Sequence, residues 1–384
     1  MSIQSSPSSI YIHIPFCVRK CLYCDFASYT GKEAVFGRYV DALRAEIRME
    51  AACHPSPRIS TIYFGGGTPT ALSPTQLQSI LDEIRRNFPV DRDAEITTEA
   101  NPGTAANSPE LFHKLLQSGF NRLSLGVQSL HDNELEKLGR IHTAEDAVSA
   151  FYYAREAGFG NISLDLMYGI PDQTFSSWRD TLGRIIDLGP EHVSLYSLTV
   201  EEGTPFWDMC RAGSLQLPGD DIEADMYEEA IRTLTGAGFV HYEISNFARP
   251  GRECRHNITY WQNDPYFGFG VGATGYLEGI RAANSRDIEG YIVNIEAGIN
   301  VKEYEERLTG RGKMGETMFL GLRMLRGVDE CRFTRRYGIS PKDAFPSEIS
   351  RLLMRDLIEE IDGYLRLTRT GLLFANDVFA EFVD

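Results

Sequence analysis

The sequence predicts an α/β fold: a partial (β/α)6 TIM-like barrel followed by a C-terminal α+β, winged-helix-like domain. Three observations carry this. Six short β-rich runs alternate strictly with amphipathic helical stretches, the pattern of a parallel sheet covered by helices. Polar or Gly-rich residues follow several runs directly, as at the C-terminal face of (β/α) barrels. Near residue 300 the texture changes to helix formers. Six units rather than eight indicate an incomplete barrel, and spacing alone leaves a doubly wound sheet as the alternative.

The runs are SIYIHI (9–14), ISTIYF (59–64), AEITTE (94–99), NRLSLGV (121–127), ISLDLMYG (162–169) and HVSLYSL (192–198). Between them lie helical patterns at 33–52, 74–87, 108–118, 143–157 and 174–188, and a further one at 221–237. The strand ends carry three clustered cysteines, then GGGTPT, EANP and YGIP. We assign residues 1–240 to the core, 241–300 to a Gly- and aromatic-rich segment, and 301–384 to the terminal domain, with the last boundary good to about ten residues. The terminal domain shows a helix, a turn at Asp362-Gly363, a short strand and a closing helix.

Composition sets limits. The 384 residues are 42% hydrophobic, and no apolar run reaches the length of a membrane span. The start, MSIQSSPSS, lacks a basic region and an apolar core, so no secretory signal is visible and a cytoplasmic location is expected. Seven cysteines are no disulfide framework. The net charge is −16; from Arg311 onward 12 basic residues balance 12 acidic ones. Neither part has the basic footprint of a nucleic-acid binder, so the winged-helix-like domain suits packing or partner docking better than DNA.

Cys17, Cys21 and Cys24 have C-x3-C-x2-C spacing. Three thiolates can hold three irons of a cubane and leave the fourth iron open to a substrate. Zinc is the competing metal and would need a fourth ligand such as His13 or Asp25. Isolated Cys53, Cys210, Cys254 and Cys331 read as small apolar fillers. Gly65, Gly66 and Gly67 let backbone approach a ligand closely after an apolar run. Glu99 and Asp165 are carboxylates in apolar strands, expensive unless they meet a cation or hydroxyl donors. G270-V-G272-A-T-G275 matches the dinucleotide pattern G-x-G-x-x-G, but its flanks lack the required strand and βαβ unit, so a Gly-rich loop near the barrel mouth is the better account.

The Cys17-Val-Arg-Lys-Cys21-Leu-Tyr-Cys24 stretch resembles the signature of the radical S-adenosylmethionine (SAM) superfamily. Together with YIHIPFC, YFGGGTPT, GVQS, GRIH and LDLMYGIP it is similar to the oxygen-independent coproporphyrinogen III oxidase group and its HemW-type heme chaperone relatives. The resemblance runs from about residue 10 to the C-terminus. It implies a [4Fe-4S] cluster on the three cysteines and SAM on the open iron. It further implies that Tyr11, Tyr23, Gly66, Gly67, Thr68, Glu99, Gln128, Arg140 and Asp165 contact SAM. His13 reads as a hydrogen-bonded histidine that shapes the cysteine loop.

Two features separate the branches of that group. The oxidases resemble C-x3-C-x2-C-x-C, whereas this chain has Phe26 after Asp25, and the oxidases' longer N-terminal extension is not seen ahead of the motif. Residues 255–261, RHNITYW, resemble the H-N-x-x-Y-W motif of the heme chaperones. The resemblance implies heme contact by His256, Asn257, Tyr260 and Trp261, with Cys254 a second candidate iron ligand. Read without it, the segment is an aromatic loop capping the barrel. The expected function is therefore a radical SAM-type heme chaperone that passes heme to a recipient heme protein, with coproporphyrinogen oxidation as the alternative. An electron donor for the cluster is implied, no nucleic acid is expected, and a homodimer and a transient membrane contact stay open.

Overall fold

The computed structural model describes residues 7–54, 57–105 and 108–383; the start of the chain, residues 1–6, lies outside them. Each of the six runs is a strand: β1 (Ser9–Ile14), β2 (Ile59–Gly66), β3 (Val90–Ala100), β4 (Arg122–Gln128), β5 (Ile162–Tyr168) and β6 (His192–Ser197). They pair in parallel, each with the next in sequence. This unreversed order excludes the doubly wound alternative, which needs a switch point.

The helices between the strands start and stop where local chemistry directs. Ser73, Thr143 and Thr174 close capping boxes with Gln76, Asp146 and Ser177, each satisfying backbone donors that the first turn leaves free. Gly189 ends the helix Phe175–Leu188 in a left-handed conformation (φ 70°).

Side chains of a strand alternate between its two faces, and here the faces differ in chemistry. Ile10, Ile12, Ile14, Ile62, Phe64, Leu123, Leu125, Leu164 and Val193 belong to the main core, as do Leu77, Ile80, Leu81 and Ile84 of the helix Pro74–Asn87. The alternate positions are polar or glycine: Ser9, Tyr11 and His13; Thr61, Tyr63 and Gly65; Glu95, Thr97 and Glu99; Arg122, Ser124 and Gly126; Ser163 and Asp165; His192, Ser194 and Tyr196. A parallel strand buried on both faces is normally apolar throughout, so this second face is built to bind something.

The segment after residue 240 extends the same sheet from both sides. β8 (Asn246–Ala248) adds antiparallel to β6 and β7 (Val240–Glu243) antiparallel to β8, whereas β9 (Tyr266–Phe269) pairs in parallel with β1. β10 (Thr274–Leu277), β11 (Ile280–Asn284) and β12 (Lys302–Arg307) continue beyond β9, giving twelve strands. A strand thus does precede the G-x-G-x-x-G stretch, contrary to expectation, but an antiparallel strand follows it, not a helix, and the dinucleotide motif fails on that count. Its glycines serve close packing: a Cβ on Gly270 would stand 2.6 Å from the His13 carbonyl oxygen.

The C-terminal unit has its own core, including Met318, Leu322, Phe333, Leu352 and Leu365. Its antiparallel sheet has the order β13 (Val328–Asp329), β15 (Tyr364–Leu367), β14 (Ile358–Ile361). Asp362 (φ 52°) and Gly363 (φ 79°) form the two-residue hairpin turn, whose positive φ angles suit the twist of flanking strands. The large sheet ends at Arg307 and the helix Gly310–Leu322 opens the second core, so we place the boundary between them.

Candidate functional site

The polar face of the six strands splits into a mouth, at their C-terminal ends, and a base. At the mouth a cavity of about 500 Å³ is lined by Cys17, Cys21 and Cys24 on one side. Tyr23, Gly66, Gly67, Thr68, Glu99, Gln128, Arg140 and Asp165 complete the residues that sequence reasoning had assigned to it. Tyr11 is not in the lining. It sits one layer below, where its hydroxyl meets His13 Nδ1 at 3.0 Å.

The cysteine loop is held by its neighbours. His13 Nε2 meets the Ala27 carbonyl oxygen at 2.8 Å, so both ring nitrogens are engaged. Burial pulls the His13 pKa down to about 4. The ring is therefore a neutral strut for the loop rather than a metal ligand, as its strand-end position suggested. Gly66 (φ 111°) lies against it, and a Cβ there would be 2.6 Å from the ring. The N–H groups of Gly67 and Thr68 donate to the carbonyls of Ile14 and Phe16 at 2.9 and 2.7 Å, which ties the triple-glycine loop to the loop carrying Cys17. Among the described residues no group of three His, Cys, Asp or Glu side chains is set to hold a single metal ion, so the zinc reading gains no support. Three soft sulfur donors with no fourth protein ligand suit an iron–sulfur cluster.

The rest of the lining is charged. Glu99 is half-buried, accepts from the Tyr63 hydroxyl at 2.9 Å, and its pKa is pushed up to about 8 by desolvation, with Asp165 adding repulsion. Asp165, also raised by burial, accepts from the hydroxyls of Ser124 (2.9 Å) and Ser163 (3.1 Å). Arg140 donates to the Gly126 carbonyl (2.6 Å) and approaches Cys21 Sγ (3.4 Å), while its Nε is buried without a partner. Gln128 lies beside a register shift of β4 against β5 with φ 67°, a conformation that a non-glycine residue holds only under constraint. Two half-buried acids, a half-satisfied guanidinium and an amide at one cavity are what a zwitterionic ligand with an extra positive charge requires. SAM has those charges, and the residues fit it. Sequence reasoning missed Tyr63, Ser124 and Ser163; their period-2 spacing from Gly65, Gly126 and Asp165 on the same strand face was the available signal.

The residues assigned to heme lie elsewhere. The helix Arg255–Trp261 closes the base, at the opposite ends of the strands from the cysteines. Its first N–H groups, on Arg255 and His256, donate to the Glu95 carboxylate at 3.2 and 3.1 Å. His256 is buried; Nδ1 meets Thr61 Oγ1 at 2.8 Å and Nε2 meets the Tyr260 hydroxyl at 2.7 Å. Burial, reinforced by Arg122, pulls its pKa down to about 3. In this conformation neither nitrogen is open to an iron. Cys254 is equally enclosed, its thiol 3.6 Å from Glu95 and pushed up to about 12 by burial. Asn257 and Tyr260 are half-buried on the same helix, and the Trp261 ring faces the C-terminal unit, with the Arg323 guanidinium 4.3 Å from its centre.

Parallel strands in sequential order, with three cysteines following the first and a glycine loop the second, define a radical SAM protein. Accordingly, the model of the Radical SAM superfamily matches residues 11–185, and that of the HemN C-terminal domain matches residues 308–374. The chain is 42% identical over 377 residues to the heme chaperone HemW of Bacillus subtilis, covering 98% of this chain and 99% of that protein. It is 34% identical to the heme chaperone HemW of Escherichia coli, covering 99% of each. Among solved structures, the coproporphyrinogen III oxidase HemN of Escherichia coli superposes with a TM-score of 0.84 at 25% identity, over 98% of this chain and 90% of that one. The chain belongs to the HemW family of radical SAM proteins.

Proposed function

We propose that this protein is a radical SAM-type heme chaperone that binds one heme and delivers it to a recipient heme protein. One observation carries the cofactor half: three cysteines and two half-buried acids line a single cavity. Cys17, Cys21 and Cys24 would hold a [4Fe-4S] cluster, and SAM would take the rest of the cavity. When bound and reduced, the cluster supplies the electron that cleaves SAM. The chain's own residues orient and charge-match: Glu99 and Asp165 receive the positive groups, Arg140 and Gln128 the carboxylate and amide-type contacts, and the Gly66–Gly67 backbone allows close approach. Tyr23 adds an aromatic wall.

The heme half rests on the full-length likeness to HemW heme chaperones and on the H-N-x-x-Y-W motif. Ligation by His256 belongs to an opened state, in which the ring gives up Thr61 or Tyr260 and the helix withdraws from the base. The fold match to a coproporphyrinogen oxidase keeps oxidative decarboxylation as the second reading. Against it, Phe26 stands 58% exposed beside the cluster loop and offers no fourth thiol there. Among the described residues no helix is long and apolar enough to cross a membrane. An electron donor and a heme-protein recipient complete the proposed set of partners.

The test is a parallel assay of anaerobically reconstituted protein. Saturable heme binding, weakened in His256→Ala, together with no conversion of coproporphyrinogen in the presence of SAM and reductant, is the expected result. Conversion at enzyme-like rates establishes the oxidase instead. Equal heme affinity in His256→Ala removes the motif histidine from the heme site.

A further inference from the structure

Between the helix Arg255–Trp261 and the C-terminal unit lies a second cavity, of about 190 Å³, that the cofactor mouth does not use. Trp261, Phe333 and Tyr364 supply aromatic walls, and Arg326, Arg332 and Arg336 bring three guanidinium groups. Asp329 also lines it, but that carboxylate caps the helix Glu330–Tyr337, accepting from the Arg332 N–H at 2.8 Å. Arg332 is held by both oxygens of Asp264 at 2.7 Å. Among the described residues Arg336 donates only to the carbonyls of Gln262 and Asn263, which carry no formal charge. Arg326 is exposed at the rim, lies 4.4 Å over the Tyr364 ring, and meets no carboxylate among the described residues. The Trp261 Nε1–H is buried without an acceptor there.

Two uncompensated guanidinium groups, an orphan donor and aromatic walls suit a carboxylate borne on an apolar body. We propose that this cavity is a carboxylate site that takes a propionate arm of the heme, an inference that rests on the heme-carrier reading above. Size decides which part enters. Sites that enclose a whole drug-sized ligand measure about 300–1,000 Å³, and this one admits an arm but no macrocycle. The motif helix then has two roles: Trp261 and the arginines anchor the acid end, whereas His256 stays at the barrel base until the helix moves. A free small carboxylic acid offers the same chemistry from another source.

The experiment titrates the full chain, wild type and Arg326→Gln, with heme and with heme dimethyl ester, read by absorbance. Esterification and Arg326→Gln should each weaken binding about tenfold, as loss of a charge-assisted hydrogen bond does. Combined, they should weaken it little further, because both delete the same contact. Thermal melting of Arg326→Gln should match wild type. If acid and ester bind wild type equally and Arg326→Gln binds heme as wild type does, the propionate anchor is wrong while heme carriage stands. If wild type shows no saturable heme binding, both fall. If sodium propionate alone perturbs tryptophan fluorescence in wild type but not in Arg326→Gln, and heme affinity ignores esterification, the cavity serves a free acid and the heme arm is withdrawn.

Discussion

Gly66→Ala should disable the cofactor mouth by displacing the histidine packed behind it. Gly66 adopts φ 111°, where an L-residue is strained by about 1–2 kcal/mol. Its new Cβ would stand 2.6–2.8 Å from three atoms of the His13 ring, so the ring must rotate. That rotation breaks the 2.8 Å contact with Ala27 and the 3.0 Å contact with Tyr11, and leaving a buried polar group unpaired costs about 1–3 kcal/mol. The total is roughly 2–5 kcal/mol, which lowers the melting temperature of a domain this large by about 4–20 °C. The assay combines anaerobic thermal melts of the apo chain with iron per chain after reconstitution. Loss of both stability and cluster loading is expected. His13→Ala in the same chain should recover the steric part, making the double variant less destabilised than the sum of the singles. A Gly66→Ala protein with wild-type melting and full iron content would refute the reasoning.

Other predictions follow from buried carboxyls. Because burial raises Glu99 to about 8, it is protonated in the folded chain at lower pH, and a cation arriving there must expel the proton. SAM affinity of the cluster-loaded protein should therefore rise by up to tenfold per pH unit toward 8 and then level off; Glu99→Gln should flatten the profile, as calorimetry across a pH series would show. Glu46 is buried among Tyr291, Asn284 and the Gly270 N–H, and burial raises its pKa from 4.5 to about 7. A raised carboxyl stabilises the fold below its unfolded pKa, and this is lost as pH climbs through about 7. The loss is about 3 kcal/mol at 1.36 kcal/mol per unit, and Glu46→Gln should abolish it in denaturant titrations. Glu134 accepts from Ser129 (2.6 Å), Ser177 (2.5 Å) and Gln173 (3.0 Å) beneath the Gln128 turn. Glu134→Ala should cost roughly 3 kcal/mol or more by orphaning these donors, and should weaken SAM binding alongside the drop in melting temperature.

Local pattern carried the sequence reading where chemistry is local. The six parallel strands announce themselves because each is a short β-branched run followed by a turn and a capped helix. The cysteine loop is legible for the same reason, since C-x3-C-x2-C sets its own geometry. What stayed hidden depends on partners distant in the chain. Nothing near Tyr266–Phe269 says that it will lie against β1, some 250 residues away. Arg122 sits second in the NRLSLGV run, where nothing local marks it out, yet it is 2% exposed at the base, among Glu95, Cys254 and Tyr242. The same applies to His256. Its motif is visible in the sequence, but the contact with Thr61 that occupies its ring exists only once β2 and the helix have met.

The pairing of β1 with β9 also bears on when the protein becomes competent during synthesis. The Tyr39 hydroxyl holds the His13 carbonyl and also accepts from the Val271 N–H, and Arg286 donates to the Asp25 carbonyl inside the cysteine loop. A nascent chain that has emerged only through β6 has every cysteine of the loop and the Tyr39–His13 bond, but neither the Val271 nor the Arg286 contact. Long-range pairing of this kind forms late, because loop closure must precede any reward. The thiols would thus spend most of translation in a loop that lacks its contacts to the C-terminal third, exposed to oxygen and stray metals. Iron should enter after the C-terminal third has left the ribosome, which makes assembly of the centre a post-translational event.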